Sequence, residues 1–237
     1  MRTVYKDWDC RLLPMTGELI TRPEETIRSL LLLKEKFGFK RFLFTPRFDA
    51  EFESVTAFLL RRDRSLKELQ ALLPDGISVS CGAVSVLTAG LAEQLFLRKL
   101  CMPKTNYLPI MLPFYGDKQI ISLELNRLLY HSPYRVLFYS FDTALYYYPK
   151  ADIERWINLP NAAYCFRYQS IEQPEIRCIL RRLMERNVPI LFGTGLNAYE
   201  KACYYEFDHY IRVAADHFSE YECDLLFHSN QLYKILR

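Results

Sequence analysis

Pro23-Glu24-Glu25-Thr26-Ile27-Arg28-Ser29-Leu30-Leu31-Leu32-Leu33-Lys34-Glu35-Lys36-Phe37-Gly38-Phe39-Lys40-Arg41-Phe42-Leu43-Phe44-Thr45 contains a helix, its stop and a strand in one run. Ile27, Leu30, Leu31 and Leu33 form a broad apolar stripe at helical spacing, and Pro23 with Glu24 and Glu25 suits a helix start. Gly38 ends the helix, because glycine takes the left-handed conformation of a helix cap. Arg41 to Thr45 then reads as a short β-strand, and Thr3 to Trp8 as another ahead of the helix, so the stretch completes a β-α-β unit.

The same alternation continues along the chain, with further strands predicted at Ile77 to Cys81, Tyr107 to Leu112, Arg135 to Phe141, Ala162 to Phe166 and Pro189 to Gly193. Helices are predicted at Phe52 to Leu73, Leu87 to Leu97, Lys118 to Tyr130, Ile153 to Asn158, Glu175 to Asn187 and Tyr199 to His217, with a terminal helix or two short ones over Tyr221 to Leu236. Strands alternating with helices indicate α/β units around a parallel sheet. Periodicity alone leaves a closed barrel and an open doubly wound sheet both available. No repeat, low-complexity tract or break in composition divides the chain, so residues 1–237 are expected to form one domain.

Half of the 237 residues are apolar or aromatic and only eight are glycine, which argues for a packed core over disorder. The net charge of +3 is small and spread out, which argues against a nucleic-acid partner. The longest aliphatic run, Leu30 to Leu33, is far short of a membrane span, and the start of the chain has no apolar signal core. The expectation is a cytoplasmic protein without membrane insertion. Its seven cysteines include no C-x-x-C pair and are expected to be reduced, structural thiols.

Generic motifs identify no activity. The four histidines, His131, His209, His217 and His228, show no metal-ligand spacing. His209 and His217 fit a solvated helix face beside Asp208 and Asp216, and His131 and His228 fall near element ends. Gly193-Thr194-Gly195 follows a predicted strand where backbone N–H groups can face an anion, but without dinucleotide or P-loop spacing it reads as a tight turn. Tyr146-Tyr147-Tyr148 and Tyr204-Tyr205 suit either core packing or a protein-binding face.

Asp7-Trp8-Asp9-Cys10-Arg11-Leu12-Leu13-Pro14 resembles the D-x-H-x-H-x-L-P opening of the polymerase-and-histidinol-phosphatase (PHP) superfamily, in particular its bacterial capsule-synthesis tyrosine phosphatases. The resemblance runs in order along essentially the whole chain. Phe42-Leu43-Phe44-Thr45-Pro46-Arg47 is similar to the strand leading to T-P-H, Cys81-Gly82-Ala83-Val84 to G-x-E, and Tyr107-Leu108-Pro109-Ile110-Met111-Leu112-Pro113-Phe114 to Y-L-L-I-E-L-P-F. Val136 to Asp142 fits the A-H-P-E-R region, and Val188 to Asn197 the strand ending S-D-A-H-N.

The resemblance implies a distorted (β/α)7 TIM-like barrel. It also implies that the ligand positions are altered: Asp9 and Arg11 stand for the paired histidines, Arg47 for a histidine, Val84 and Met111 for carboxylates, Tyr139 for a histidine, and Thr194 and Leu196 for the last ligands. Asp142 stands for the substrate-binding arginine, and Asn197 alone is kept from its motif. Arginine has no acceptor and stays charged, while valine, methionine and leucine offer no metal-binding oxygen or nitrogen. A manganese-type cluster, and with it metal-activated water, is therefore expected to be lost.

Two uses of the altered site are expected to compete. Arg11 and Arg47 either pair internally with Asp9, Glu18 or Asp142 while Met111 and Val84 fill space, or form a pocket for a phosphorylated or acidic ligand. The corresponding function is a pseudophosphatase without catalytic residues, acting on a ligand or protein partner in capsule or exopolysaccharide control. The alternative is a divergent tyrosine phosphatase or other phosphoester hydrolase with a relocated site using Asp9, Glu18, Tyr139 or Asp142. The sequence does not fix the oligomeric state.

Overall fold

The computed structural model describes residues 5–16, 22–114 and 117–227. The chain alternates strands and helices, as its periodicity predicts. In order these are β1 (Lys6–Cys10), α1 (Pro23–Phe37), β2 (Arg41–Phe44), β3 (Arg47–Phe48), α2 (Val55–Gln70), β4 (Ser78–Cys81), β5 (Val84–Val86), β6 (Tyr107–Met111), α3 (Lys118–Tyr130) and β7 (Arg135–Phe138). They continue with α4 (Phe141–Tyr147), α5 (Lys150–Ile157), β8 (Ala162–Arg167), α6 (Pro174–Glu185), β9 (Ile190–Gly193), α7 (Tyr199–Cys203), α8 (Phe207–His217) and α9 (Glu220–Phe227).

All strand pairings among the described residues are parallel, in the orders β1-β2-β4 and β3-β5-β6-β7-β8-β9. The two sheets are continuous through the backbone. Gly82 donates to the Phe44 carbonyl (2.8 Å) and Val84 to that of Pro46 (3.0 Å), so β2 and β3 run on as one strand position interrupted at Thr45-Pro46. Proline has no N–H for a ladder, which accounts for the interruption. At the other edge, the segment after β9 returns to β1: Gly195 donates to the Asp9 carbonyl (2.8 Å) and Arg11 to that of Leu196 (2.9 Å). Gly193 lies so close to β1 that an added Cβ would stand 2.3 Å from the Cβ of Asp9 and 2.4 Å from its nitrogen.

Alternate residues of each strand separate into two apolar layers, as a period of two requires. Trp8, Leu43, Val84, Val86, Tyr107, Met111, Leu137, Ala163, Cys165 and Leu191 join Tyr139 and Met102 in one cluster drawn from every strand position. Leu108, Ile110, Val136, Phe138, Tyr164, Phe166, Ile190 and Phe192 belong to the larger cluster that the helices cover. Helix ends follow local chemistry. Gly38 takes φ of 79° after α1 and donates to the Lys34 carbonyl (3.0 Å), Ser54 accepts from Ala57 N–H (3.2 Å) before α2, and Asp117 accepts from Gln119 N–H (2.7 Å) before α3.

Three expected elements differ. The helix expected over Leu87 to Leu97 is replaced by short 3-10 turns at Leu91–Glu93 and Leu97–Leu100, because Gly90 (φ 77°) and Phe96 (φ 63°) take left-handed conformations that break an α-helix. Tyr199 to His217 divides into α7 and α8 where Tyr205 turns inward. The strand expected to reach Phe141 stops at Phe138, since Ser140 (φ 47°) turns the chain into α4. Of the expected terminal helix, Glu220–Phe227 is helical and the remainder lies outside the described residues. Among the described residues, no helix is long and apolar enough to cross a membrane.

Candidate functional site

The expected site residues fall at or just beyond the C-terminal ends of the parallel strands, the end at which α/β barrels and open α/β sheets place their functional groups. Asp9, next to last in β1, is 1% exposed and hydrogen-bonded through both carboxylate oxygens. Its Oδ1 accepts from Arg11 Nε (3.1 Å) and from the Thr45 hydroxyl (2.7 Å). Its Oδ2 accepts from Arg11 Nη2 (3.2 Å) and from the Ser140 hydroxyl (3.3 Å), and Ser140 in turn accepts from Arg11 Nη2 (2.7 Å). Thr45 follows β2 and Ser140 follows β7, so groups from three strand ends converge on one carboxylate. The Arg11 contact is a fork-to-fork pair, the strong form of charge-assisted bonding.

Asp7, two residues earlier on β1, is a second buried carboxylate. Its Oδ1 accepts from the N–H groups of Thr194 (2.8 Å) and Asp9 (3.1 Å), and its Oδ2 from the Thr194 hydroxyl (2.7 Å). Burial pushes the Asp7 carboxyl up to about 7; the bonds from Thr194 and Asp9 oppose that rise, and the neighbouring Asp9 charge adds to it.

The remaining expected residues go elsewhere. Arg47, at the start of β3, lies 3.7 Å from the Asp49 carboxylate. Asp142 is fully buried in the first turn of α4 and takes Arg167, not Arg11: Arg167 Nε lies 2.7 Å and Nη2 2.6 Å from Oδ2, and the Arg167 N–H reaches Oδ1 at 3.2 Å. Burial raises the Asp142 carboxyl, and Arg167 opposes that rise. Asn197 accepts from Lys201 (2.8 Å) on the surface. Glu18 lies outside the described residues.

Val84 and Met111 are buried in the apolar cluster drawn from all strand positions, and Leu196 is buried in the larger one. Tyr139 donates its hydroxyl to the Trp8 carbonyl (2.8 Å), and burial pushes that hydroxyl far above its ordinary range. Among the described residues, no group of three or more His, Cys, Asp or Glu could hold a metal ion. Cys10, Cys101 and Cys165 are buried and Cys178 is exposed; none of the seven cysteines is in a disulfide. His209 contacts Glu172 (2.7 Å) on the surface, His131 follows the last residue of α3, and His228 lies outside the described residues. Tyr146, Tyr147 and Tyr204 are exposed, whereas Tyr205 is buried and Tyr148 donates to the Pro113 carbonyl.

Sequence reasoning missed Asp7, Thr45, Ser140 and Arg167. Asp7 had a usable signal, since it lies two residues before Asp9 on one strand. Ser140 and Arg167 had none without the tertiary fold.

No protein-family model matches the chain, and no curated protein matches it. Among solved structures the chain is similar to one described as YwqE from Bacillus subtilis and CpsB from Streptococcus pneumoniae, unique metal-dependent tyrosine phosphatases. The TM-score is 0.68 at 17% identity, over 93% of this chain and 90% of that one. At that identity the likeness establishes a shared fold, a mixed α/β architecture with parallel sheets. A shared fold does not fix function.

Proposed function

We propose that this chain is a single-domain PHP-like barrel, 1–237, that binds a ligand or partner and does not hydrolyse phosphoesters. Closure of seven parallel strand positions is supported by the backbone bonds from Gly195 N–H to the Asp9 carbonyl and from Arg11 N–H to the Leu196 carbonyl, and by the cluster drawn from every strand position. The functional reading is carried by one observation: both oxygens of Asp9 are engaged by Arg11, Thr45 and Ser140.

A cluster of divalent cations needs several carboxylate or neutral imidazole donors around one centre. Here a guanidinium, itself a fixed cation and donor only, pairs with the carboxylate on this strand end. Val84 and Met111 supply apolar contacts instead of oxygens, and Thr194 is tied to Asp7. The residues present do not fit a manganese-type cluster, so no hydrolytic step is assigned. A relocated active site has less support: Tyr139 would need a nearby base to act as a nucleophile and instead donates to a backbone carbonyl, while Asp142 is held by Arg167. In this reading the protein is a cytoplasmic pseudophosphatase, and the resemblance alone suggests capsule or exopolysaccharide control as its setting.

The test is metal analysis of the purified protein together with hydrolysis of a phosphotyrosine peptide with and without manganese. Substoichiometric metal and no turnover are expected. Stoichiometric metal with turnover that disappears in Asp9→Ala would overturn the reading.

A further inference from the structure

The starts of β1, β2 and β4 lie at the end of the sheet opposite the Asp9 cluster, and one row of the strand register there sets Lys6, Arg41 and Ser78 side by side. Neighbouring strands stand roughly 4.8 Å apart, so the register alone brings two cations together. Side chains alternate along a strand, and Trp8 and Leu43, two residues further on, belong to the cluster drawn from every strand position. Lys6 and Arg41 therefore share the side of the sheet on which that cluster lies. The Lys6 ammonium agrees, standing 3.5 Å from the centre of the Trp8 ring.

Both cations start from backbone that is already fixed. β2 is paired on both sides, with Arg41 opposite Lys6 on β1 and Ser78 on β4, and the Tyr168 hydroxyl donates to the Lys6 carbonyl (3.3 Å). Burial, and after it the positive charge of Arg41, lower the Lys6 ammonium to about 8. Arg41 is exposed and, among the described residues, forms no ion pair. Like charges set on adjacent strands repel, and an anion that bridges them relieves the repulsion. Lys34, whose Nζ donates to the Asp75 carbonyl (2.7 Å), and Lys40, whose carbonyl accepts from Ser78 N–H (2.8 Å), add positive charge at this end, against which the Asp75 carboxylate on the same turn acts.

Solvent, and so a ligand, reaches this row. All four residues of β4 are exposed or half-exposed, which holds for no other strand among the described residues. The cause is topological: β4 pairs with β2 alone, and it is β5 that pairs with β6. Ser78 and Ser80, opposite Arg41 and Leu43, place two hydroxyls on the same side as the cations. A guanidinium fork matches the oxygens of a tetrahedral oxyanion, an ammonium adds a point charge, and a hydroxyl adds a donor. We propose that Lys6, Arg41 and Ser78 form an anion site that binds a dianionic phosphate or sulfate group, its oxygens shared between the two cations and the Ser78 hydroxyl.

This site stands apart from the Asp9 cluster, so its failure would leave the reading of that cluster untouched. Inorganic sulfate and inorganic phosphate are titrated into the full chain near neutral pH at constant ionic strength, with chloride as the balancing anion, and followed by NMR shifts and calorimetry. Saturable binding is expected, with shifts centred on Lys6, Arg41 and Ser78, and the two anions should compete for one site. Arg41→Gln and Lys6→Gln should each weaken sulfate by at least about tenfold, the value of one hydrogen bond to a charged group. Absence of saturable binding against the chloride background, shifts centred instead on Asp9 and Arg11, or unchanged affinity in both variants would overturn the proposal.

Discussion

Replacing Asp7 by asparagine should make the protein more stable at pH 8 and leave it nearly unchanged near pH 4. In the fold the Asp7 carboxyl is raised from 3.8 to about 7, chiefly by burial. An acid whose folded value lies above its unfolded value is protonated more readily in the native state. Stability associated with it is therefore greatest below the unfolded value and falls as pH rises, until the folded group also ionises. At about 1.4 kcal/mol for each tenfold change, the loss between pH 4 and pH 8 is about 4 kcal/mol. Other carboxylates act in the opposite direction, so the useful quantity is the difference between parent and variant at each pH.

Asparagine preserves the essential geometry. Its Oδ1 can accept from the N–H groups of Thr194 and Asp9, as Asp7 does. The Thr194 hydroxyl, which already accepts from Leu196 N–H (3.2 Å), can turn to accept from the asparagine amide. Urea unfolding of both proteins from pH 4 to pH 8 should show the variant gaining about 4 kcal/mol relative to the parent. A pH-independent difference would mean that Asp7 ionises in the fold as it does in water, and would refute the reasoning.

Gly193→Ala should cost about 3 kcal/mol in chemical denaturation, the upper end for overpacking, because the new methyl group meets the Asp9 backbone and not a movable side chain; parental stability would contradict this close approach. Arg11→Ala strips Asp9 of two N–H donors and should cost about 2–3 kcal/mol, below the usual cost of breaking a buried pair because Arg11 keeps 30% of its side chain in water. The same unfolding titration checks it, and no loss would remove the ion pair as a structural element. With a thiol reagent, Cys178 should react in the native protein while Cys10 and Cys165 stay silent until unfolding, since burial pushes both of their thiols up; prompt reaction of either buried thiol, read by mass spectrometry, would contradict its placement.

What was legible in the sequence was whatever its own neighbours determine. α1 and α3 have the bounds predicted for them: Pro23 and Gly38 bracket α1, and Asp117 caps the start of α3. Leu87 to Leu97 is not the helix expected there, because Gly90 and Phe96 both take left-handed conformations that interrupt it. The site divides along the same line. Asp9 and Arg11 are two residues apart, close enough for the sequence to suggest their pairing, whereas Thr45 lies 36 residues from Asp9 and Ser140 129 residues from Arg11, separations that only the tertiary fold brings together.

That division bears on how a buried carboxylate is held at a strand end. A carboxylate as buried as Asp9 would be costly if its oxygens had no donors. Here donors come from three strand ends, and one of them carries the compensating charge. Retaining Asp9 therefore needs no metal to explain it. The same donors make the carboxylate expensive to release, so a cation would have to displace Arg11 before it could bind there.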